Sequence, residues 1–257
     1  MIREAVNLRT MRYLRGVKIS VVVPAFNEEK LLGRSLAEIK TAAAAFTRRD
    51  WQFELVVCDN NSTDRTAEIA RAAGALVVFE PFNQIGRARN SGAAAAGGDW
   101  LIFVDADSHP SAELFADVAD QIASGRCLGG GSTVRLDEKM LVAGMVTGLW
   151  NLVSRWKKWL AGSFIFIEAG AFRKLGGFNP EYFAAEELDL SQRLQTLARE
   201  QRKTIVILHW HPLVTSARKM KLYTPRELGG FFLRTIFSHR RAVRSRETAY
   251  MWYDGRR

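Results

Sequence analysis

The chain has 257 residues, 47% of them hydrophobic and 25% charged, with 37 Lys and Arg against 27 Asp and Glu for a net charge of +10. That length suits one large α/β domain with a substantial core. Two cysteines, Cys58 and Cys127, exclude a disulfide framework and a cysteine metal site, and they suit a reducing compartment. The positive excess points to anionic partners such as phosphates, anionic lipid or nucleic acid, and says little about fold.

Arg3, Glu4, Arg9, Arg12 and Arg15 break up any apolar core near the start, so no signal peptide is expected. Lys18 to Val23 is rich in β-branched residues and reads as a buried strand. Leu31, Leu32, Leu36 and Ile39 then share one helical face. Phe53 to Cys58 is a second strand, and Ser62, Thr63 and Asp64 offer N-cap side chains for a helix to about Ala73. Ala75 to Phe79 is a third strand, Gln84 to Ala96 a helix and Trp100 to Val104 a fourth strand. This alternation implies an α/β fold with a mostly parallel, Rossmann-like sheet flanked by helices.

After Pro110 the rhythm changes. Ser111 to Ala123 reads as a helix, Cys127 to Arg135 contains a glycine run, and Lys139 to Leu160 is a long tryptophan-rich helix. The most apolar part of that helix, Leu141 to Val153, is cut off by Ser154, Arg155, Lys157 and Lys158. A span needs roughly twenty apolar residues, so no transmembrane helix is expected. Ser163 to Ile167 returns as a strand, Glu186 to Arg199 is a helix with Leu190, Leu194 and Leu197 inward, and Thr204 to Leu208 is a further strand.

Four polar clusters fall at the carboxyl ends of the first four strands, where open parallel sheets bind ligands. They are Pro24-Ala25-Phe26-Asn27-Glu28-Glu29, Asp59-Asn60-Asn61-Ser62-Thr63-Asp64, Asn83 to Asn90, and Asp105-Ala106-Asp107. Any one alone is weak, since a strand followed by Asp-Asn is commonly a helix cap. The Asp-x-Asp is more telling. Two carboxylates so close at a sheet edge repel unless a cation or hydrogen-bond donors compensate. Mg²⁺ or Mn²⁺ held by one or two carboxylates and substrate phosphates is the usual solution.

In order and approximate spacing the series resembles the family 2 glycosyltransferases, an inverting group of GT-A fold. Their signatures are P-x-x-N-E, D-x-x-S-x-D, an A-R-N-x-G helix, a D-x-D and a later E-D pair. The resemblance runs from about Lys18 to Arg193. It implies a UDP- or GDP-sugar donor, a hydroxyl acceptor and a Mg²⁺ or Mn²⁺ cofactor. Pro24, Ala25 and Glu28 would border the base and ribose, and Asp59 would face the base. Arg89 would serve the same pocket or the diphosphate, or be a helix-surface arginine. Asp105 would contact ribose or sugar, and Asp107 the metal.

A base must also take the acceptor's proton. The stretch Glu186-Glu187-Leu188-Asp189-Leu190-Ser191-Gln192-Arg193 resembles the family's E-D-x-D-L-x-x-R acceptor motif, with Gly176-Gly177-Phe178 before it. Glu187 stands where the family commonly has aspartate; Glu187 is favoured as the base over Glu186. Asp189 would brace the helix and Arg193 pair with a carboxylate. In some relatives a C-terminal histidine completes the metal shell, which makes His211 a candidate ligand beside a structural role. Ser216 to Lys219 would close over the diphosphate or be a solvated basic loop.

These residues divide one domain, 1–257, into a donor half (18–130), an acceptor-side half (131–210) shaped by Trp150, Trp156 and Trp159, and a basic C-terminal extension (211–257). That extension carries Leu228, Phe231, Phe232, Ile236 and Phe237 among Arg234, His239, Arg240, Arg241, Arg244 and Arg246. It is expected to be helical. Either it lies on an anionic membrane, bringing lipid-linked acceptors within reach, or its apolar face packs on the domain. Residence is expected in the cytoplasm or peripherally on the cytoplasmic membrane face. The rival from another class, a non-catalytic membrane- or nucleic-acid-binding module with a degenerate pocket, needs no Asp-x-Asp. Nucleic acid is not expected as a partner. A dinucleotide-binding oxidoreductase is disfavoured because no G-x-G-x-x-G follows the first strand.

Overall fold

The computed structural model describes residues 16–218; the C-terminal segment from Leu228 to Arg246 and its expected membrane helix lie outside the described residues. Strand β1 (Lys18–Ala25) has Val21, Val22 and Val23 all buried, as a strand covered on both faces requires. β2 (Gln52–Asp59) and β4 (Trp100–Val104) pair with it in parallel, and β3 (Leu76–Phe79) pairs outside β2. The connections are α1 (Leu32–Ala42) with a one-turn α2 (Ala44–Thr47), then α3 (Thr66–Ala72), then α4 (Ile85–Ala95). α3 begins later than Ser62 to Asp64 suggested, and Asp64 Oδ1 still accepts its first amide, Thr66 N–H, at 3.0 Å. Parallel pairing brings the ends Ala25, Asp59 and Val104 to one edge.

Beyond β4 the parallel pattern stops. β5 (Ser108–His109) is followed by α5 (Ala112–Ala123), β6 (Cys127–Leu136), α6 (Leu141–Lys157), β7 (Phe164–Glu168), α7 (Ala169–Lys174), α8 (Glu186–Glu200) and β8 (Thr204–Thr215). β7 inserts antiparallel between β4 and β6, β8 runs parallel to β6, and β5 closes antiparallel on the end of β8. The order among the described residues is β3-β2-β1-β4-β7-β6-β8-β5. The α/β class holds: β1–β4 are all parallel, and with β6 and β8 also parallel but β7 and β5 antiparallel to their neighbours, the sheet as a whole is mixed.

The glycine run is a central strand. A Cβ on Gly130 would stand 2.1 Å from the Val206 carbonyl oxygen and 2.8 Å from the Phe166 ring, so only glycine admits both neighbours. Strand residues alternate between two cores. Val21, Val23, Ile102, Val104, Phe164 and Phe166 face α1, α2 and α5; Val22, Leu101, Phe103, Ile165 and Ile167 face α7 and α8. Each such side chain contributes roughly 1.5–3 kcal/mol on burial. Helix α6 is different: only Ala143 and Ser154 of its seventeen residues are buried.

Candidate active site

The loops after β1 and β2 are laced into one unit. Asn27 donates its N–H to Ser62 Oγ at 2.9 Å while its Oδ1 accepts Thr63 N–H at 2.8 Å. Glu28 N–H reaches Thr66 Oγ1 at 2.8 Å. Pro24 and Ala25 end β1 at the same level, Asn60 N–H bonds the Ala25 carbonyl at 2.8 Å, and Asp59 accepts Ser62 N–H at 3.0 Å. Glu28 and Asp59 are both buried. Asn60 continues the lacing, donating to the Phe82 carbonyl at 2.7 Å and accepting Gln84 N–H at 2.9 Å. Gln84 in turn donates to the carbonyls of Pro180 and Tyr182 at 2.8 and 2.7 Å, tying the third strand-end loop to the segment before α8.

Arg89 is the hub of the site. It is 1% exposed. Its Nη1 meets Glu186 Oε1 at 2.5 Å, and its Nη2 meets Asp105 Oδ1 at 2.9 Å and the Gly162 carbonyl at 2.8 Å. The guanidinium lies 5.2 Å from the Phe178 ring centre. Burial works to lower the Arg89 pKa, and the charges of Asp105, Glu186 and Glu187 together overcome it and raise it. The arginine stays cationic and holds the D-x-D motif and the α8 acids together. Next to it, Asn90 accepts Phe178 N–H at 2.9 Å and donates to the Phe178 carbonyl at 2.8 Å. That clamp needs Gly177, whose φ is +72° and whose Cβ would stand 2.5 Å from Asn90 Oδ1.

Asp107 is 5% exposed, and among the described residues no side chain pairs with its carboxylate. Its carbonyl accepts Ser216 N–H at 3.1 Å. A nearly buried, unpartnered carboxylate two residues from Asp105 fits a cation held by one or two protein oxygens and a ligand's phosphates. A self-contained cage is not present: among the described residues no group of three or more His, Cys, Asp or Glu is placed to hold a metal. His211 sits on β8 with its Nδ1 2.9 Å from Asp117 Oδ2 on α5. The loop after β8 turns back over the site. Arg218 Nη2 grips both oxygens of Glu28 at 2.9 and 2.8 Å. Lys219 lies outside the described residues.

α8 starts from Ala185, held at φ +60°, and puts Glu186, Glu187 and Asp189 in its first turn, where the helix dipole favours acids. Glu186 is buried and bonded to Arg89. Glu187 lies close by, its Cδ 3.6 Å from where a Cβ of Gly162 would stand. Desolvation first, then the charge of Glu186, push its carboxyl up to about 8 against the pull of Arg89. Asp189 pairs with Arg193 at 2.6 Å, and Arg193 donates to the carbonyls of Leu175 and Gly177 at 2.7 and 2.9 Å.

Residues 20–141 match the sequence model described as Glycosyl transferase family 2. That match spans just under half of the chain, from β1 past the Asp-x-Asp to the start of α6. A relative described as an uncharacterized glycosyltransferase of Mycobacterium bovis is 37% identical over 94 residues, 37% of this chain and 38% of that protein. The chain spans about two fifths or less of the length of the curated relatives it matches. In fold it is similar to a mannosyltransferase of Pyrobaculum calidifontis solved with GDP-Man and Mn²⁺, with a TM-score of 0.65 at 18% identity over 95% of this chain and 74% of that one. It is also similar to glucosyl-3-phosphoglycerate synthase of Mycobacterium tuberculosis solved with Mn²⁺ and UDP-glucose, with a TM-score of 0.61 at 21% identity over 91% of this chain and 82% of that one.

Of the residues that the family 2 motifs single out, the structure brings Arg89, Asp105, Glu186 and Glu187 into one cluster around the buried Arg89 and Glu186, and sets Glu28 and Asp59 on the neighbouring strand ends. Arg89 is not on the helix surface: its bonds go inward to two carboxylates and the Gly162 carbonyl. Gln84 and Asn60 fall within the strand-end clusters, but their role as a relay between loops was not legible, because a buried amide leaves no spacing signal for its partners. Arg218 was legible only as one basic residue among several.

Proposed function

We propose that this chain is an inverting family 2 glycosyltransferase that moves a sugar from a UDP- or GDP-sugar to an acceptor hydroxyl. One observation carries the reading: Arg89 joins Asp105, at the end of a donor-side strand, to the glutamates that open α8. A group poised to accept a proton therefore stands beside the position where a sugar would meet Asp105. The two similar structures solved with GDP-Man or UDP-glucose and Mn²⁺ support the donor and metal class.

Pro24, Ala25, Glu28 and Asp59 would bound the base and ribose, with the Arg218–Glu28 pair closing that side. Asp107, with Asp105 beside it, would hold the Mg²⁺ or Mn²⁺. Bound there, a divalent ion would neutralise charge on the departing diphosphate. Ionised Glu187 takes the acceptor's hydroxyl proton as the acceptor oxygen attacks the anomeric carbon. The bond from that carbon to the diphosphate oxygen breaks on the opposite face, and its electron pair leaves with the nucleoside diphosphate. A carboxyl held near 8 keeps the proton it receives, which suits a base working close to neutral pH.

A thermal-shift panel of UDP-, GDP- and dTDP-sugars with and without Mn²⁺ tests the donor class. A donor at a hundred times its Kd adds about 2.7 kcal/mol of stability. Glu187→Gln keeps that shift while turnover falls by on the order of 10² to 10⁴. No shift with any nucleotide sugar, or full turnover in Glu187→Gln, overturns the proposal.

A further inference from the structure

Helix α6 turns most of its apolar surface to solvent. Leu141, Val142, Met145, Leu149, Leu152 and Trp156 are 53–86% exposed. They recur at helical spacing along seventeen residues, about 25 Å of helix. Monomers rarely leave so long an apolar stripe uncovered without a use for it. The stripe runs on past the helix: Trp156 and Leu152 share a groove with Trp210, which is 79% exposed on a bulge of β8 between Leu208 and Leu213.

Charge decides among the occupants. From Lys139 to Lys158 the segment holds no Asp or Glu, while Lys139 stands at one end and Arg155, Lys157 and Lys158 at the other. Among the described residues none of these cations has a carboxylate partner; Lys157 rests over the Trp156 ring at 4.0 Å. The groove's own carboxylates are already engaged, Asp117 by His211 at 2.9 Å and Asp120 by Arg49 at 2.5 Å. Two copies joined in parallel through α6 would stack these basic ends on one another, and an antiparallel pair would offer them only Asp137, already accepting Ala217 N–H at 2.8 Å, and Glu138. A lipid surface carrying negative headgroups matches both the stripe and the cations. No described helix is long and apolar enough to span a membrane, so the match is to a helix lying along the surface.

We propose that α6, with Trp210 beside it, docks this protein on an anionic bilayer. The placement is useful to the site. Five residues after Lys157 the chain reaches Gly162, whose carbonyl bonds Arg89, and on the way Leu160 N–H bonds Ser191 Oγ of α8 at 2.9 Å. A docked α6 therefore holds the acceptor side of the Arg89 cluster near the lipid surface, where a lipid-linked hydroxyl would arrive. Only that last step rests on the glycosyltransferase reading; docking itself is measured without turnover.

The test is flotation of the full chain with vesicles of phosphatidylcholine alone or with 30% phosphatidylglycerol, at low and high salt. Binding is expected only with the anionic lipid and weakens with salt. Met145→Glu/Leu149→Glu/Leu152→Glu, at three exposed positions, abolishes flotation and leaves the nucleotide-sugar thermal shift unchanged. Arg155→Glu/Lys157→Glu/Lys158→Glu lowers partitioning at least about a hundredfold, since each basic residue near such a surface is worth roughly a factor of five, about 1 kcal/mol. Flotation that survives both variants belongs to another part of the chain and overturns the proposal. So does a wild-type dimer in light scattering without lipid that the first variant converts to monomer, because the stripe then serves a second copy.

Discussion

Arg89→Met tests whether the site is held by its buried charges or only by packing around them. Methionine keeps much of the length and removes the charge. Glu186, 3% exposed, loses its 2.5 Å partner, and Asp105 and the Gly162 carbonyl lose theirs. Breaking a buried pair from one side costs about 3–5 kcal/mol, because the charge left behind is uncompensated. For a chain of this size that is a fall in Tm of roughly 6–20 °C. The cost should also depend on pH with a definite sign. The stranded carboxylates hold protons more tightly in the folded state than the ordinary unfolded value near 4 allows, so the variant loses stability as pH rises above that value. The gap to the wild type is therefore small near pH 4 and widest above 7. Urea unfolding of both proteins from pH 4 to 8.5 measures it. A gap below 1 kcal/mol at pH 7.5, or one constant across that range, refutes the account of Arg89 as an electrostatic hub.

Glu187 makes a second pH-dependent prediction. Its folded pKa of about 8 lies above the ordinary 4.5, so the stability tied to its proton is full below 4.5 and is lost as pH rises toward 8. Glu187→Gln should gain stability relative to the wild type across that window, and the rising limb of kcat/KM near pH 8 should disappear with the side chain; an unchanged limb assigns it to another group. Asp107→Ala should remove the Mn²⁺-dependent part of donor stabilisation while the ligand-free Tm stays within about 2 °C, because no described side chain pairs with that carboxylate. Gly177→Ala should cost about 1–3 kcal/mol in chemical denaturation, and more than Gly74→Ala, which shares the positive φ but meets nothing within 4 Å; equal losses would mean that Asn90 gives way.

The parallel β1–β4 half was readable from the chain because each of its elements is local. Apolar runs of strand length alternate with amphipathic helices, and side-chain period and turn chemistry are set by near neighbours. The polar clusters at the strand ends were readable for the same reason, since strand direction alone puts them on one edge. The antiparallel insertion of β7 was not, because its partners β4 and β6 lie far away in sequence. The glycine run of β6 hid a central strand: glycine is a poor strand former, and its purpose here is the close approach of Phe166 and Val206.

The same division runs through the site. Sequence alone named Asp105 and Asp107, because two carboxylates so spaced at a strand end carry a chemical signal, and it named Arg89, Glu186 and Glu187 through their resemblance to the family 2 motifs. What they do to one another was decided by tertiary structure. Arg89 became a buried bridge only when α4, β4 and α8 met around it, and Glu187 gained its raised pKa only when that packing removed water and set Glu186 beside it. His211 found Asp117 across the α5–β8 contact. Residue type and spacing fix which groups are available, and desolvation and long-range partners fix their charge and their company, which no local pattern encodes.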